Sequence, residues 1–239
     1  LFALLSLGGL RSFERRFKQQ VIEALLTELD PRLEYDTTKH VERETFVASG
    51  LFAETPDRLE GNDRVRGRRG EAIFEFSEVE AQGETPGLWG GVHEQFHGVF
   101  LVVDGVPRVD GETVVQPDRY ERLLGAAIGD RRNPRQQADL DAVRLADRDF
   151  ERQFMVFSTS QEAADAALTQ RIRDALLELE ERAGTGRVRA SLKGSRIYVG
   201  LSTGPVFEAS VFRPIGEEDV RALHRIGDAV LTFVERVTE

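Results

Sequence analysis

Apolar residues alternate with polar ones through Arg64–Asp104, and this stretch predicts the sheet around which the chain is arranged. Arg64–Arg68 and Glu71–Ala81 read as strands joined by a tight turn at Arg68-Arg69-Gly70. In the second strand Ala72, Phe74 and Phe76 share one face, whereas Val79 and Ala81 fall on the other. That change of phase predicts a bulge or strand end near Ser77-Glu78. Phe96–Asp104 is apolar on both faces, so it needs cover on both and belongs at the centre of the sheet.

Helical spacing appears on either side. Ser12 can cap a helix through Leu29, with Phe13, Phe17, Val21, Ala24 and Leu25 forming one stripe, and Asp30-Pro31 stops it. Glu42–Leu51 reads as a short helix ending at Ser49-Gly50, and Ala53–Asn62 as loop. Beyond Asp104 the spacing predicts a second loop with Gly105, Pro107 and Gly111, a short strand at Thr113–Val115, and a helix from Pro117 to about Ile128. Phe154–Phe157 reads as a buried strand, Gln161–Ala166 as one or two helical turns, and Thr169–Arg182 as a helix ended by Gly184. Val188, Ala190, Leu192 and then Ile197, Val199, Leu201 alternate around Lys193-Gly194-Ser195, which predicts a second hairpin. Phe207–Phe212 is a short extended piece, and the last helix runs from Glu217 to about Val237, opened by acidic residues that suit its dipole. The fold class is α+β: a largely antiparallel β-sheet built from two hairpin units, covered by N-terminal, central and C-terminal helices.

Composition narrows the function classes. A net charge of −10 argues against nucleic acid as partner, because phosphate contacts need a basic field. Cysteine is absent, which removes disulfides, thiol nucleophiles and cysteine-ligated metals. Leu1–Leu10 carries no charge and is followed by Arg11, Arg15, Arg16 and Lys18. Ten apolar residues fall short of the roughly twenty that cross a bilayer. They are either the last turns of a span, with the basic cluster marking the cytoplasmic side, or the start of a buried helix.

His93-Glu94-Gln95-Phe96-His97 matches the H-E-x-x-H pattern, in which a helix sets two imidazoles on one zinc ion with the glutamate as base. Gly90-Gly91 before it and the β-branched run after it predict strand instead, and strand residues four apart lie about 13 Å apart. The string is therefore not assigned as a catalytic or metal site, and no cofactor is expected. Arg64, Arg66 and Arg68 could hold a phosphate or headgroup, but the facing Glu-rich strand explains them as cross-strand ion pairs. Gly87–Gly91, around the lone Trp89, lacks the Lys-Ser/Thr of a phosphate-binding loop. His40 and His224 stand isolated, and Ser49-Gly50-Leu51-Phe52 is not a nucleophile elbow. Asp147, Asp149 and Glu151 are read as caps of a turn.

Several strings together resemble a known bacterial family. They are Ser49-Gly50-Leu51-Phe52, Phe74-Glu75-Phe76-Ser77-Glu78-Val79, Phe96-His97-Gly98-Val99-Phe100, Val143–Asp147, Phe150–Ser158 and Phe207-Glu208. In this order they are similar to the bacterial domain-of-unknown-function family with serial number thirty-one thirty-seven, over most of Phe13–Val237. The resemblance implies transmembrane helices before the soluble domain and a genetic neighbourhood with LemA-type proteins. It brings no activity, ligand or catalytic residue. Where His97 stands the family pattern has a basic residue before Gly, and after Ser158 the chain departs from the pattern at Ser160 and Ala163–Ala166.

With that implication, residues 1–11 read as the end of a truncated transmembrane helix and 12–239 as one soluble α+β domain. The expected function is a non-catalytic domain on the bacterial inner membrane, facing the cytoplasm, that binds a protein partner or a lipid headgroup. The alternatives are a zinc-dependent hydrolase using His93, Glu94 and His97, and a small-ligand sensor beneath the Trp89 loop.

Overall fold

The computed structural model describes residues 19–52, 54–84, 91–118, 140–185, 187–206 and 216–239. Helix α1 occupies 19–29 and ends, as its Asp30-Pro31 predicts, at Asp30. Then follow β1 (Glu34–Asp36), α2 (Arg43–Ala48), β2 (Arg58–Arg69), β3 (Ala72–Glu84) and β4 (Val92–Pro117). The second half holds β5 (Asp141–Val143), α3 (Arg148–Glu151), β6 (Phe154–Ser158), α4 (Gln161–Ala167), α5 (Gln170–Ala183), β7 (Val188–Leu201) and α6 (Glu217–Thr238). The class is α+β with one antiparallel sheet of seven strands, as the sequence predicts.

Strand β4 is the axis of that sheet. Along one edge it meets β3 over Val92–Asp104 and then β6 over Thr113–Pro117, and β7 runs along its other edge from Leu201 to Ala190. Its apolar-on-both-faces segment does lie centrally, between β3 and β7. Val99, Leu101 and Val103 enter a core shared with α1, α4, α5 and α6. Phe96, Phe100 and Val102 enter a second core beneath α2, where Phe46 packs on Phe100 with ring centroids 4.8 Å apart.

The bulge expected near Ser77-Glu78 lies in the neighbouring strand: β3 pairs with β4 without a slip from Ile73 to Ala81, and the extra residue is in β2, between Asn62 and Val65 and opposite Ser77. The change of phase has another cause, since the sheet is covered on opposite faces at its two ends. Ala72, Phe74 and Phe76 face the helical layer, Val79 and Ala81 face α2, and alternation continues unbroken between them. The expected loop after Asp104 is likewise strand. There β4 bends through register slips between Asp104 and Glu112 and keeps its pairing with β7. Val188–Leu201 is not a hairpin but one strand paired along β4, so the second unit is a long two-strand ribbon. β2 begins at Arg58 inside the expected loop, and the β2–β3 turn falls one residue later, at Gly70-Glu71. Strands β1 and β5 and helix α3 are short elements without a periodic signature. Asp147 caps α3 by accepting from the Phe150 N–H, in keeping with its expected role. Leu1–Leu10, Ser12, the stretch from Pro117 to Ile128 beyond Asp118, and Phe207–Phe212 lie outside the described residues. Among the described residues no helix is long and apolar enough to cross a membrane.

Candidate functional site

The His93–His97 string is extended within β4. Ala81 lies opposite Phe96 but Gln82 lies opposite Glu94, so Gln95 is an extra residue, a β-bulge. The bulge sends the two imidazoles to different faces. His93 sits opposite Gly83 with Nε2 3.9 Å from the Glu54 carboxylate. His97 sits opposite Glu80, with Nε2 3.7 Å from Glu78 and Nδ1 3.6 Å from Glu94. The string is thus not brought together, and no group of three histidine, aspartate or glutamate side chains is arranged for a metal among the described residues. His97 thus lies between the carboxylates of Glu78 and Glu94.

Glu78 is the centre of this arrangement. It is 3% exposed, and its Oε2 accepts from the Val206 N–H at 2.8 Å. A buried carboxylate needs such donors, because desolvation disfavours its charge. Glu78, Glu80 and His97 share the face of the sheet that the helices cover further along, at Phe74 and Phe76. Past that cover the same face opens into a cleft of about 500 Å³, lined among others by His40, Glu60, Asn62, Glu78, Glu80 and His97, with no lysine or arginine in its wall among the described residues.

A second bulge shapes the far wall. The register of β2 on β3 slips between Asn62 and Val65, and Asp63 there takes a positive φ of 57°, which aspartate tolerates better than most residues. The slip turns Asp63 inward, where it is 1% exposed and accepts from the Tyr35 hydroxyl. Burial, and then the Asp63 charge, holds the Tyr35 phenol well above its usual range. The Arg64 N–H donates to the Lys39 carbonyl, which draws 38–40 across β2. Gly61 permits the approach: a Cβ there would stand 2.8 Å from the His40 Cβ and 2.4 Å from the Glu78 carbonyl. Tyr35→Phe removes one donor from a buried carboxylate, so an urea melt should show a loss of about 2 kcal/mol.

Of these residues the sequence drew attention to His97 alone, through the zinc pattern. His40 had been isolated, and Glu60 and Asn62 fell in an expected loop. A usable signal was present: beyond Phe76 the even positions of β3 become Glu78, Glu80 and Gln82 while the odd ones turn apolar. In the basic run, Arg66 does pair with Glu75, Nε to Oε2 at 3.4 Å. Arg69 joins a different network with Asp30, and Arg68 is exposed. Ser49 donates to the Phe46 carbonyl and accepts from the Leu51 N–H, closing α2. Trp89 lies outside the described residues.

A family model described as "Protein of unknown function (DUF3137)" matches residues 94–238. The match takes in the strings from Phe96 onward, while Ser49–Phe52 and Phe74–Val79 precede it. The crystal structure of the mycobacterial trehalose monomycolate transport factor A, TtfA, aligns with 10% identity and a TM-score of 0.43, over 93% of this chain and 96% of that one. No curated protein matches.

Proposed function

We propose a binding role for this chain, which belongs to the family of proteins of unknown function DUF3137: it is a non-catalytic domain that receives a protein partner at the cleft over Glu78 and His97. The observation that carries this is the row of Glu60, Glu78 and Glu80 in a wall with no lysine or arginine among the described residues, Arg58 standing on Glu60 at its rim. Such a wall repels an anionic headgroup and complements a basic protein surface, and the chain's net charge of −10 acts in the same direction. Between the two expected binding modes, a protein partner is therefore favoured over a lipid headgroup. The geometry around His97 favours binding over hydrolysis, because each ring nitrogen already faces a carboxylate.

The apolar-then-basic run at Leu1–Lys18 supports membrane attachment with this domain on the cytoplasmic side, and the family neighbourhood makes a LemA-type protein the first partner to try. A photo-cross-linking residue in place of Arg58, at the cleft rim, tests the reading in native membranes. A discrete protein adduct that disappears when Glu80→Lys is added is the expected result. Adducts to lipid alone, or a protein adduct indifferent to Glu80→Lys, would overturn it.

A further inference from the structure

We infer that this chain pairs with a second copy of itself along the outer edge of β2, strand to strand and antiparallel, with Leu59 on the two-fold axis; the inference stands apart from the partner proposed for the cleft.

Strand β2 has β3 along one side, but its other side is covered only in part. β1 takes Arg64–Arg66, and the Lys39 carbonyl takes the Arg64 N–H. Along Arg58–Asn62 no strand and no backbone hydrogen bond meets that outer edge among the described residues. The Arg58 and Glu60 side chains there are 63% and 60% exposed, so the edge faces solvent. Such an edge presents N–H and C=O groups at the spacing another strand needs, which makes it a template for pairing. Pro56, without an N–H, bounds the template at one end and the bulge at Asp63 bounds it at the other.

Arg58-Leu59-Glu60 decides which strand fits. Laid antiparallel against itself about Leu59, the string sets Arg58 opposite Glu60 of the second copy, Leu59 opposite Leu59, and Glu60 opposite Arg58. An axis at Glu60 would set carboxylate against carboxylate, and one at Arg58 guanidinium against guanidinium. Axes between these residues would set a charge against Leu59. Opposite charges across two strands stabilise and like charges destabilise, so charge selects one register, and that register is self-complementary.

In the single chain Arg58 leans along its own strand to Glu60 at 2.5 Å, an exposed pair that contributes little. In the dimer each charge has an opposite one along its own strand and another across the seam. The second copy's guanidinium also stands on the side of Glu60 away from Glu80, the like-charged neighbour that β3 supplies. Leu59, half-buried at the margin of the second core, meets its counterpart on the other face of the sheet. A two-fold axis through such a seam keeps the faces aligned, so the two clefts open side by side on one face of a joined sheet.

Sedimentation velocity of the whole chain at low salt tests this, with no membrane or other protein present. Strands this short bury a small interface, so reversible dimerisation with a dissociation constant on the order of 0.1 mM is expected. Arg58→Glu and Glu60→Arg, each alone, put like charges across the seam and should weaken it by roughly tenfold. Mixed in equal amounts, the two variants restore opposite charges at each position, and the mixture should dimerise at least as tightly as the native chain. Lost folding would not produce that rescue. The chain has no cysteine, so Leu59→Cys places a single thiol on the axis. Mild oxidation should link that variant into a dimer, and Glu181→Cys, exposed on α5, in far lower yield. A native chain that stays monomeric well above the expected dissociation constant would overturn the inference. So would single variants that dimerise as the native chain does, a mixture that fails to associate, or equal cross-linking of the two cysteine variants.

Discussion

Alanine at Gly98 is expected to lower the unfolding free energy by roughly 3–5 kcal/mol, a large part of what holds a domain together. Gly98 lies in the central segment of β4 with φ at 151°, a conformation that side-chain-bearing residues rarely adopt. Space is the harder constraint. A Cβ there would stand 2.0 Å from the Leu201 carbonyl oxygen and 2.7 Å from the Thr203 nitrogen. Both are backbone atoms of the exit from β7, and neither can turn aside as a flexible side chain would. That exit is tied down on each side: the Gly204 N–H donates to the His97 carbonyl, and the Val206 N–H donates to Glu78. Room for a methyl group therefore comes only by pushing the turn off β4, which withdraws a donor from the buried Glu78 carboxylate. Urea melts of Gly98→Ala and the native chain read the first effect, and the amide NMR signal of Val206, whose N–H donates to Glu78, reads the second. A loss under about 1 kcal/mol would mean that the turn gives way freely and does not brace the site.

The same region shows what the residues alone disclose. The central strand was legible because Phe96–Asp104 is apolar on both faces, and only a strand between two covered neighbours tolerates that. α5 and α6 were legible for a similar reason, their stripes being long enough to outweigh local noise. The change of phase in β3 was legible as a fact and misleading as to cause. One strand cannot tell a slipped register from a sheet whose cover changes sides, because both put apolar residues first on even and then on odd positions. The long reach of β4 and β7 was hidden by Gly105, Pro107, Gly111 and Gly194, which signal turns when neighbours are unknown. Here they mark bends in a ribbon whose partner strand lies about ninety residues away, Asp104 opposite Arg196. The cleft was hidden for the same reason. His40, Asn62 and Glu78 meet only because β2 bulges at Asp63, and nothing in Gly61-Asn62-Asp63-Arg64 announces a bulge rather than a loop.

Asp30→Asn is the other large change, expected to cost about 3 kcal/mol at neutral pH, because it removes the charge from a buried ion pair and leaves its partner behind. Asp30 closes α1 and is 4% exposed. Its carboxylate takes the Arg32 guanidinium at 2.9 and 3.0 Å, the Arg32 backbone N–H at 2.9 Å, and Arg69 Nη1 at 2.7 Å. Arg32 is largely solvated and would lose little, but Arg69 is only 13% exposed, lies over the Phe74 ring and keeps, among the described residues, the Arg68 carbonyl at 3.1 Å and one carboxylate, Glu235, at 3.5 Å. Since Arg69 ends β2 and Glu235 belongs to α6, the carboxylate joins the first helix, the sheet and the last helix. The Arg32 hydrogen bonds, helped by the Arg69 charge, hold the Asp30 carboxyl far below the usual carboxylate range against the opposing effect of burial. A folded-state value below the unfolded one gives stability that is complete above the unfolded value and lost as acid protonates the group in the folded chain. The difference between native and Asp30→Asn chains should hold steady from neutral pH down to about 4, then narrow by about 1 kcal/mol by pH 3. Other depressed carboxylates, such as Asp36 and Asp147, titrate in both chains and cancel from that difference. A gap that stays constant down to pH 3 would mean that the Asp30 charge contributes nothing, and that the variant's loss comes from altered packing at the end of α1.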